Sequence, residues 1–269
     1  MRSILDNTGE LKANIVNHRD SRGQTALLRA LEKKQYDVVK LLLDKALQEM
    51  DVDIQGKHQK TALHLAAKED KPALVKLLLR KAKPDIKDEW GRTALLAAAE
   101  KGKSVVVQTL LDGVPDSVSP SDLVNSSDKQ GRTALLVAAE RGDSDMIEKL
   151  LQKGANKNHA DEQGRTALLI ATQNGNRDVV ELLLKHGADH TQGDSQTETP
   201  LRLAVTNGDK TLVGMFLNHS DGVQLATEFK RPLRPKLFQL AVRSGNNEVL
   251  RLISDQKVLY DEDVGQELL

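Results

Sequence analysis

The chain has 269 residues, with 39 basic residues balanced by 39 acidic ones, 2% aromatic residues and no cysteine. A zero balance supplies no overall field toward nucleic acid or an anionic membrane. The missing cysteines exclude disulfides and thiolate metal sites, and so few rings exclude a thick aromatic core.

In chain order, residues 1–19 read as the tail of an earlier repeat or as a cap, with Ile4 and Leu5 ending a helix. From Asp20 a phrase begins to recur. Gly-Arg-Thr-Ala-Leu-Leu stands at 91–96, 131–136 and 164–169, and near copies carry Thr25, Thr61 and Thr199. Successive anchors at Thr25, Thr61, Thr93, Thr133, Thr166 and Thr199 are 32 to 40 residues apart. A seventh, degenerate copy places its anchor at Lys236 by matching Leu240-Ala241-Val242 to Leu203-Ala204-Val205. Repeats of this period mean a stack of small units rather than one large globule.

Within a unit, each Thr is placed to cap a short helix rich in small residues. In the fifth copy Gly175 ends that helix. Val179, Val180, Leu182, Leu183 and Leu184 then form the apolar face of a second helix, and Gly187 ends it. Connections are longer at Lys45–Gly56, at 113–127 and at Ser220–Pro235. The middle one, rich in Pro, Ser and Asp, reads as an extended loop. Lys230–Lys236 reads as a stretched loop entering the last unit, and residues 256–269 as an acidic tail.

The pattern D-x-x-G-x-T-A-L-L-x-A-A-x-x-G, followed by V-x-x-L-L-x-x-G-A-D, resembles the ankyrin repeat over residues 20–255. The resemblance implies an all-α solenoid of about seven units, each two antiparallel helices with an outward hairpin-like loop. Where the family has Thr-Pro-Leu-His, only Thr199-Pro200 keeps the Pro and only His64 keeps the His.

No catalytic motif is present: no His-Glu-x-x-His, no Gly-x-Ser-x-Gly and no phosphate-cradling loop. His186 and His190 straddle a Gly-Ala-Asp turn and make a poor metal pair. The chain therefore reads as non-enzymatic, without cofactor or metal. With no membrane-length apolar run, it also reads as soluble, monomeric and intracellular, in cytoplasm or nucleus. The resemblance implies that loop tips and the ends of the first helices form one concave face that contacts a protein, or another domain of a longer parent chain. Carried over by position, the partner-binding residues are His58, Lys68, Glu69, Glu89, Trp90, Arg92, Glu100, Lys101, Gln130, Arg132, Glu140, Arg141, Gln163, Arg165, Gln173 and Asn174. The single Trp at a loop tip has the composition of an interface hot spot, and its alternative is to fold over neighbouring loops. Arg92, Arg132 and Arg165 could form an anion-binding ladder, or each could pair with acids such as Asp128 and Asp161. The function expected is a scaffold or adaptor. The alternative is ligand or nucleic-acid sensing through the Arg ladder and the 60–110 stretch, which carries a net +5 from 11 basic and 6 acidic residues.

This register puts Leu168 and Leu183 inside the stack. A polar substitution at either position, such as Leu168→Asn, should cost about 3–5 kcal/mol in chemical denaturation, and an unchanged midpoint would contradict the register.

Overall fold

The computed structural model describes residues 15–115, 118–219 and 233–254. The expected helix end at Ile4-Leu5, the acidic tail and most of the Ser220–Pro235 connection lie outside the described residues. Among the described residues there are helices and one isolated bridge, Ala160 to Thr166, but no strand. Contacts divide the chain at Asn156 into two compact units. The first holds four helix pairs: Ala26–Glu32 with Tyr36–Ala46, Ala62–Ala67 with Pro72–Leu78, Ala94–Glu100 with Ser104–Asp112, and Ala134–Arg141 with Ser144–Gln152. The second holds Ala167–Gln173 with Arg177–Lys185, Pro200–Thr206 with Lys210–His219, and Leu233–Ser244 with Asn247–Ser254. These pairs are numbered below as repeats 1 to 7.

The first helices start where they do because of threonine. Thr25, Thr61, Thr93, Thr133, Thr166 and Thr199 all have extended backbone. Each hydroxyl accepts from the N–H three residues on, at Leu28, His64, Leu96, Leu136, Leu169 and Arg202 respectively. Such a cap contributes about 1 kcal/mol. Packing contributes more. Leu63, Leu95 and Leu135 are fully buried in the first unit, as is Leu168 in the second, each worth roughly 1.5–3 kcal/mol. Small residues such as Ala66, Ala98 and Ala138 are equally buried, which lets neighbouring first helices approach closely. The second helices bury Val75 and Leu78, then Val107 and Leu110, then Ile147 and Leu150. In the second unit Phe216 supplies the bulk that rings supply nowhere else in the described core.

The loops before the first helices are held by a carboxylate. Oδ1 of Asp88 accepts from the backbone N–H of Trp90 and of Arg92, both at 3.0 Å. Asp20, Asp128, Asp161 and Asp194 repeat the arrangement two and four residues on. The residue three after the Asp takes positive φ, as Gly91 at +81° and Gly164 at +78° do. Within each unit adjacent loops are laced by backbone bonds. Glu89 N–H donates to the His58 carbonyl, Lys129 N–H to Trp90, and Ser195 N–H to Gln163.

Two expectations need correction. The 113–127 connection is not simply extended: Pro120–Val124 is a short helix capped by Ser119, with Leu123 and Val124 buried. Ser followed by Pro at the first helical position is a start signal, and the Leu-Val pair behind it needs cover. Lys236 is not a helix-capping anchor, because it lies inside the helix Leu233–Ser244. Residues 233–236 therefore do not continue the stretched loop read at Lys230–Lys236. Pro235 is tolerated there because first-turn N–H groups have no intrahelical partner to lose.

Thr197 occupies the glycine position of repeat 6 at φ +62°, a conformation costly for a β-branched residue. Thr197→Gly should stabilise the second unit by about 1 kcal/mol in urea denaturation. Gly164→Ala should destabilise it, because its Cβ would stand 2.9 Å from the Ser195 backbone nitrogen.

Candidate functional site

In the first unit the loop tips bring together the residues around Trp90. The indole is 39% exposed. Its ring has the Arg92 guanidinium 4.5 Å from the centroid and the Lys60 amine 4.7 Å from it. The His58 ring lies 5.1 Å away, and His58 Nδ1 meets Glu89 Oε1 at 2.6 Å. Trp90 thus folds against its neighbouring loops and remains partly exposed.

The arginines are turned toward carboxylates. Arg92 donates through Nε and Nη2 to Asp88 Oδ2 at 3.1 and 2.8 Å, and through Nη1 to Glu100 Oε2 at 2.7 Å. The other oxygen of Glu100 accepts from Arg132 Nη2 at 2.9 Å, and Arg132 also meets Asp128 at 2.8 Å. Asp88, Arg92, Glu100, Arg132 and Asp128 therefore alternate in charge along repeats 3 and 4. Burial alone would raise the Asp88 carboxyl, but the Arg92 side chain and the backbone donors outweigh it and hold the group below the usual carboxylate range. In the second unit Arg165 pairs with Asp161 at 2.8 Å. The ladder geometry is one of arginines spent on their own loops' acids.

Of the remaining candidates, Glu69 is held by Lys34 Nζ at 3.0 Å and by the Tyr36 hydroxyl at 3.2 Å. Lys68 and Lys101 cap the C-terminal ends of their helices. Gln130 sits at the repeat 4 loop tip, while Glu140 and Arg141 are exposed at the end of its first helix, Arg141 reaching the Glu100 carbonyl at 3.3 Å. Gln163, Gln173 and Asn174 are exposed at matching places in the second unit, alongside the half-exposed Arg165.

Lys60 belongs to the site although its position alone did not mark it. The repeat 2 loop carries Gly56 where the others carry Asp, closed by the same pair of backbone bonds: Gly56 N–H to the Lys60 carbonyl and Gln59 N–H to Gly56. His58 and Gln59 take positive φ there, at +59° and +54°. Without that Asp, Lys60 has no loop carboxylate and turns to Trp90 and Lys68. His64, buried beneath, accepts at Nδ1 from the Thr61 N–H (3.3 Å) and donates from Nε2 to the Arg92 carbonyl (2.8 Å). Burial lowers its pKa and keeps it neutral.

Burial, then the adjacent Lys60 amine and the charges of Arg92 and Lys101, push Lys68 down from 10.5 to about 8. A pKa lower in the folded state means that the charged amine destabilises the fold below pH 8 and that the penalty fades between about 8 and 10.5. Lys68→Gln should therefore raise the melting temperature at pH 7, with a gain that shrinks as pH rises through that window. A gain independent of pH would contradict it.

No helix among the described residues is long and apolar enough to cross a membrane, and no group of three or more His, Asp or Glu there could hold a metal. The family model for ankyrin repeats (3 copies) matches residues 3–88, 45–118, 63–161, 115–194 and 137–228. Protein glp-1 of Caenorhabditis elegans is 34% identical over 122 residues, covering 41% of this chain and 9% of that protein. The E3 ubiquitin-protein ligase hecd-1 of the same organism is 38% identical over 87 residues, covering 32% of this chain and 3% of that one. The chain thus spans less than a tenth of the length of these curated relatives. Among solved structures, the ankyrin repeat domain of Bcl-3, a member of the IkappaB protein family, superposes with a TM-score of 0.74 at 26% identity, covering 87% of this chain and 100% of that one. An ankyrin repeat domain from Acinetobacter baumannii AYE gives 0.62 at 27% identity over 72% of this chain and 96% of that one. Capped helix pairs, aspartate-held loops and a family match spanning most of the sequence lead to one assignment: the chain belongs to the ankyrin repeat family.

Proposed function

We propose that the chain is a non-enzymatic interaction module, a scaffold or adaptor that receives a protein partner on the loop-tip face of repeats 2 to 4, centred on Trp90. Ankyrin repeats are in general protein-interaction modules, and the finer assignment to this face is supported by one observation above the others. Trp90 stays partly exposed among charged side chains, on a loop whose backbone is bonded to the loops on both sides. An aromatic held in place before binding loses little conformational entropy on contact, so its burial goes largely into affinity. The curated relatives suit this reading, because in them the matched segment is a small part of a much longer protein. The proposed setting is intracellular, with the module acting as a monomer or as one domain of a longer chain.

The test is crosslinked capture from the native cell with wild type, Trp90→Ala and a control substitution on the second-helix flank, Lys40→Ala. Loss of a hot-spot aromatic costs about 2 kcal/mol or more, so recovery with Trp90→Ala should fall by roughly thirtyfold. Recovery with Lys40→Ala should match wild type. Equal recovery with all three, at matched thermal stability, would overturn the assignment of this face.

A further inference from the structure

The position eight residues after the end of the loop has the same use in repeats 1 and 3. In repeat 1, Gln24 Nε2 donates to Glu32 Oε1 at 2.8 Å, and in repeat 3, Arg92 donates to Glu100 at 2.7 Å. A loop-end donor meets a carboxylate at the end of the following helix. Repeat 4 has the same residue types, Arg132 and Glu140. Repeat 2 reverses the charge: Lys60 is the donor, and the residue eight on is Lys68. Lys60 lies close enough to Lys68 to disfavour its charged form, with Arg92 and Lys101 of the next repeat adding positive charge.

Among the described residues, the nearby acids are engaged by other groups. Glu32 is taken by Gln24, Glu69 by Lys34 and Tyr36, Glu89 by His58, and Glu100 by Arg92 and Arg132. The same loop has lost the Asp that would have held Lys60, replaced by Gly56. A helix C-terminus favours one cation by about 0.3–1 kcal/mol, which accounts for Lys68 or Lys101 singly. It does not account for a second amine brought against Lys68 from the loop. Local rules broken at a cost to stability are expected at functional positions.

Resting on the reading of the Trp90 face as a protein-binding surface, we propose that the segment received there is acidic. A carboxylate of the partner sits between Lys60 and Lys68, within reach of Lys101, and takes the place that Glu32 and Glu100 fill in repeats 1 and 3. A neighbouring apolar side chain covers the exposed part of Trp90. The titratable and charged groups around the bound carboxylate are Lys60 on the loop, Lys68 on the repeat 2 helix with His64 buried beneath it, Arg92 and Lys101 from repeat 3, and Glu32 and Lys33 at the end of the repeat 1 helix packed beside it. With Lys68 titrating at about 8 in the free protein, a bound carboxylate raises it, and binding takes up a proton near that pH.

Trp90 is the chain's single tryptophan, so its emission reports the site directly. The probes are two synthetic peptides, one alternating Glu with Leu and Ser, the other identical with every Glu replaced by Gln. The Glu peptide should shift Trp90 emission saturably at pH 7 and bind at least about tenfold more weakly at pH 9. The Gln peptide should require at least about tenfold higher concentration throughout. Lys68→Glu, which rebuilds the pair used by repeats 1 and 3, should raise the melting temperature and abolish the response to the Glu peptide. A wild-type response by Lys68→Glu, equal binding of the two peptides, or no response to either would overturn the acidic assignment. Each of these leaves the capture experiment with Trp90→Ala free to succeed, so the two readings fail separately. Tighter binding of a single-stranded oligonucleotide than of the Glu peptide, with a steep salt dependence, would also overturn it, in favour of a nucleic acid.

Discussion

The interaction on which the rest depends is a buried carboxylate bonded to its own backbone. Asp88, with no exposed side-chain surface, accepts from the N–H groups two and four residues on and from Nε and Nη2 of Arg92. One side chain thereby closes the loop, fixes the orientation of the residue at its tip, and delivers the following Thr in extended conformation to cap a helix. Asp20, Asp128, Asp161 and Asp194 repeat the two backbone bonds and close their loops in the same way. Buried Ala and Leu supply most of the free energy, and the aspartate decides where each loop points.

Where the device is altered, chemistry changes with it. Repeat 6 keeps the aspartate but places Thr197 at the glycine position, at a local cost. Repeat 2 dispenses with the aspartate and closes its loop through Gly56, His58 and Gln59 instead. The consequence is chemical as well as conformational. The cation that Asp88 holds in repeat 3 is released in repeat 2, and it comes to rest over an aromatic ring and beside a second amine. The neighbouring network, Asp88 to Arg92 to Glu100 to Arg132 to Asp128, is by contrast internally paired across two repeats. Charge on this surface is unevenly spent, which the zero net charge of the chain conceals.

Much of this was legible from residues alone. Thr anchors at a regular period predict capped helices because a hydroxyl at that place has one nearby donor to satisfy. The pairing of Arg132 with Asp128 and of Arg165 with Asp161 was one of the two readings the repeated arginines left open, and it is the one the structure shows. The short helix at Pro120–Val124 was legible too, through Ser119-Pro120, but a composition of Pro, Ser and Asp obscured it. The helix start at Leu233 was not legible because the seventh copy has no threonine to mark it. Lys60 was not legible because its placement depends on Trp90 of the next loop and on Gly56 standing where an aspartate closes the neighbouring loops.

The sequence by itself determined the repeat period, the helix starts, the apolar faces and the family, because these depend on contacts between residues a few positions apart. Only the tertiary structure decided which charges cancel. Glu100 meets Arg132 across 32 residues, Glu69 meets Lys34 across 35, and Lys60 of one loop lies over Trp90 of the next. Those distances are set by the stacking of one repeat on another. A charged side chain that looks equivalent in every copy therefore becomes a structural clasp in one repeat and an open cation in its neighbour.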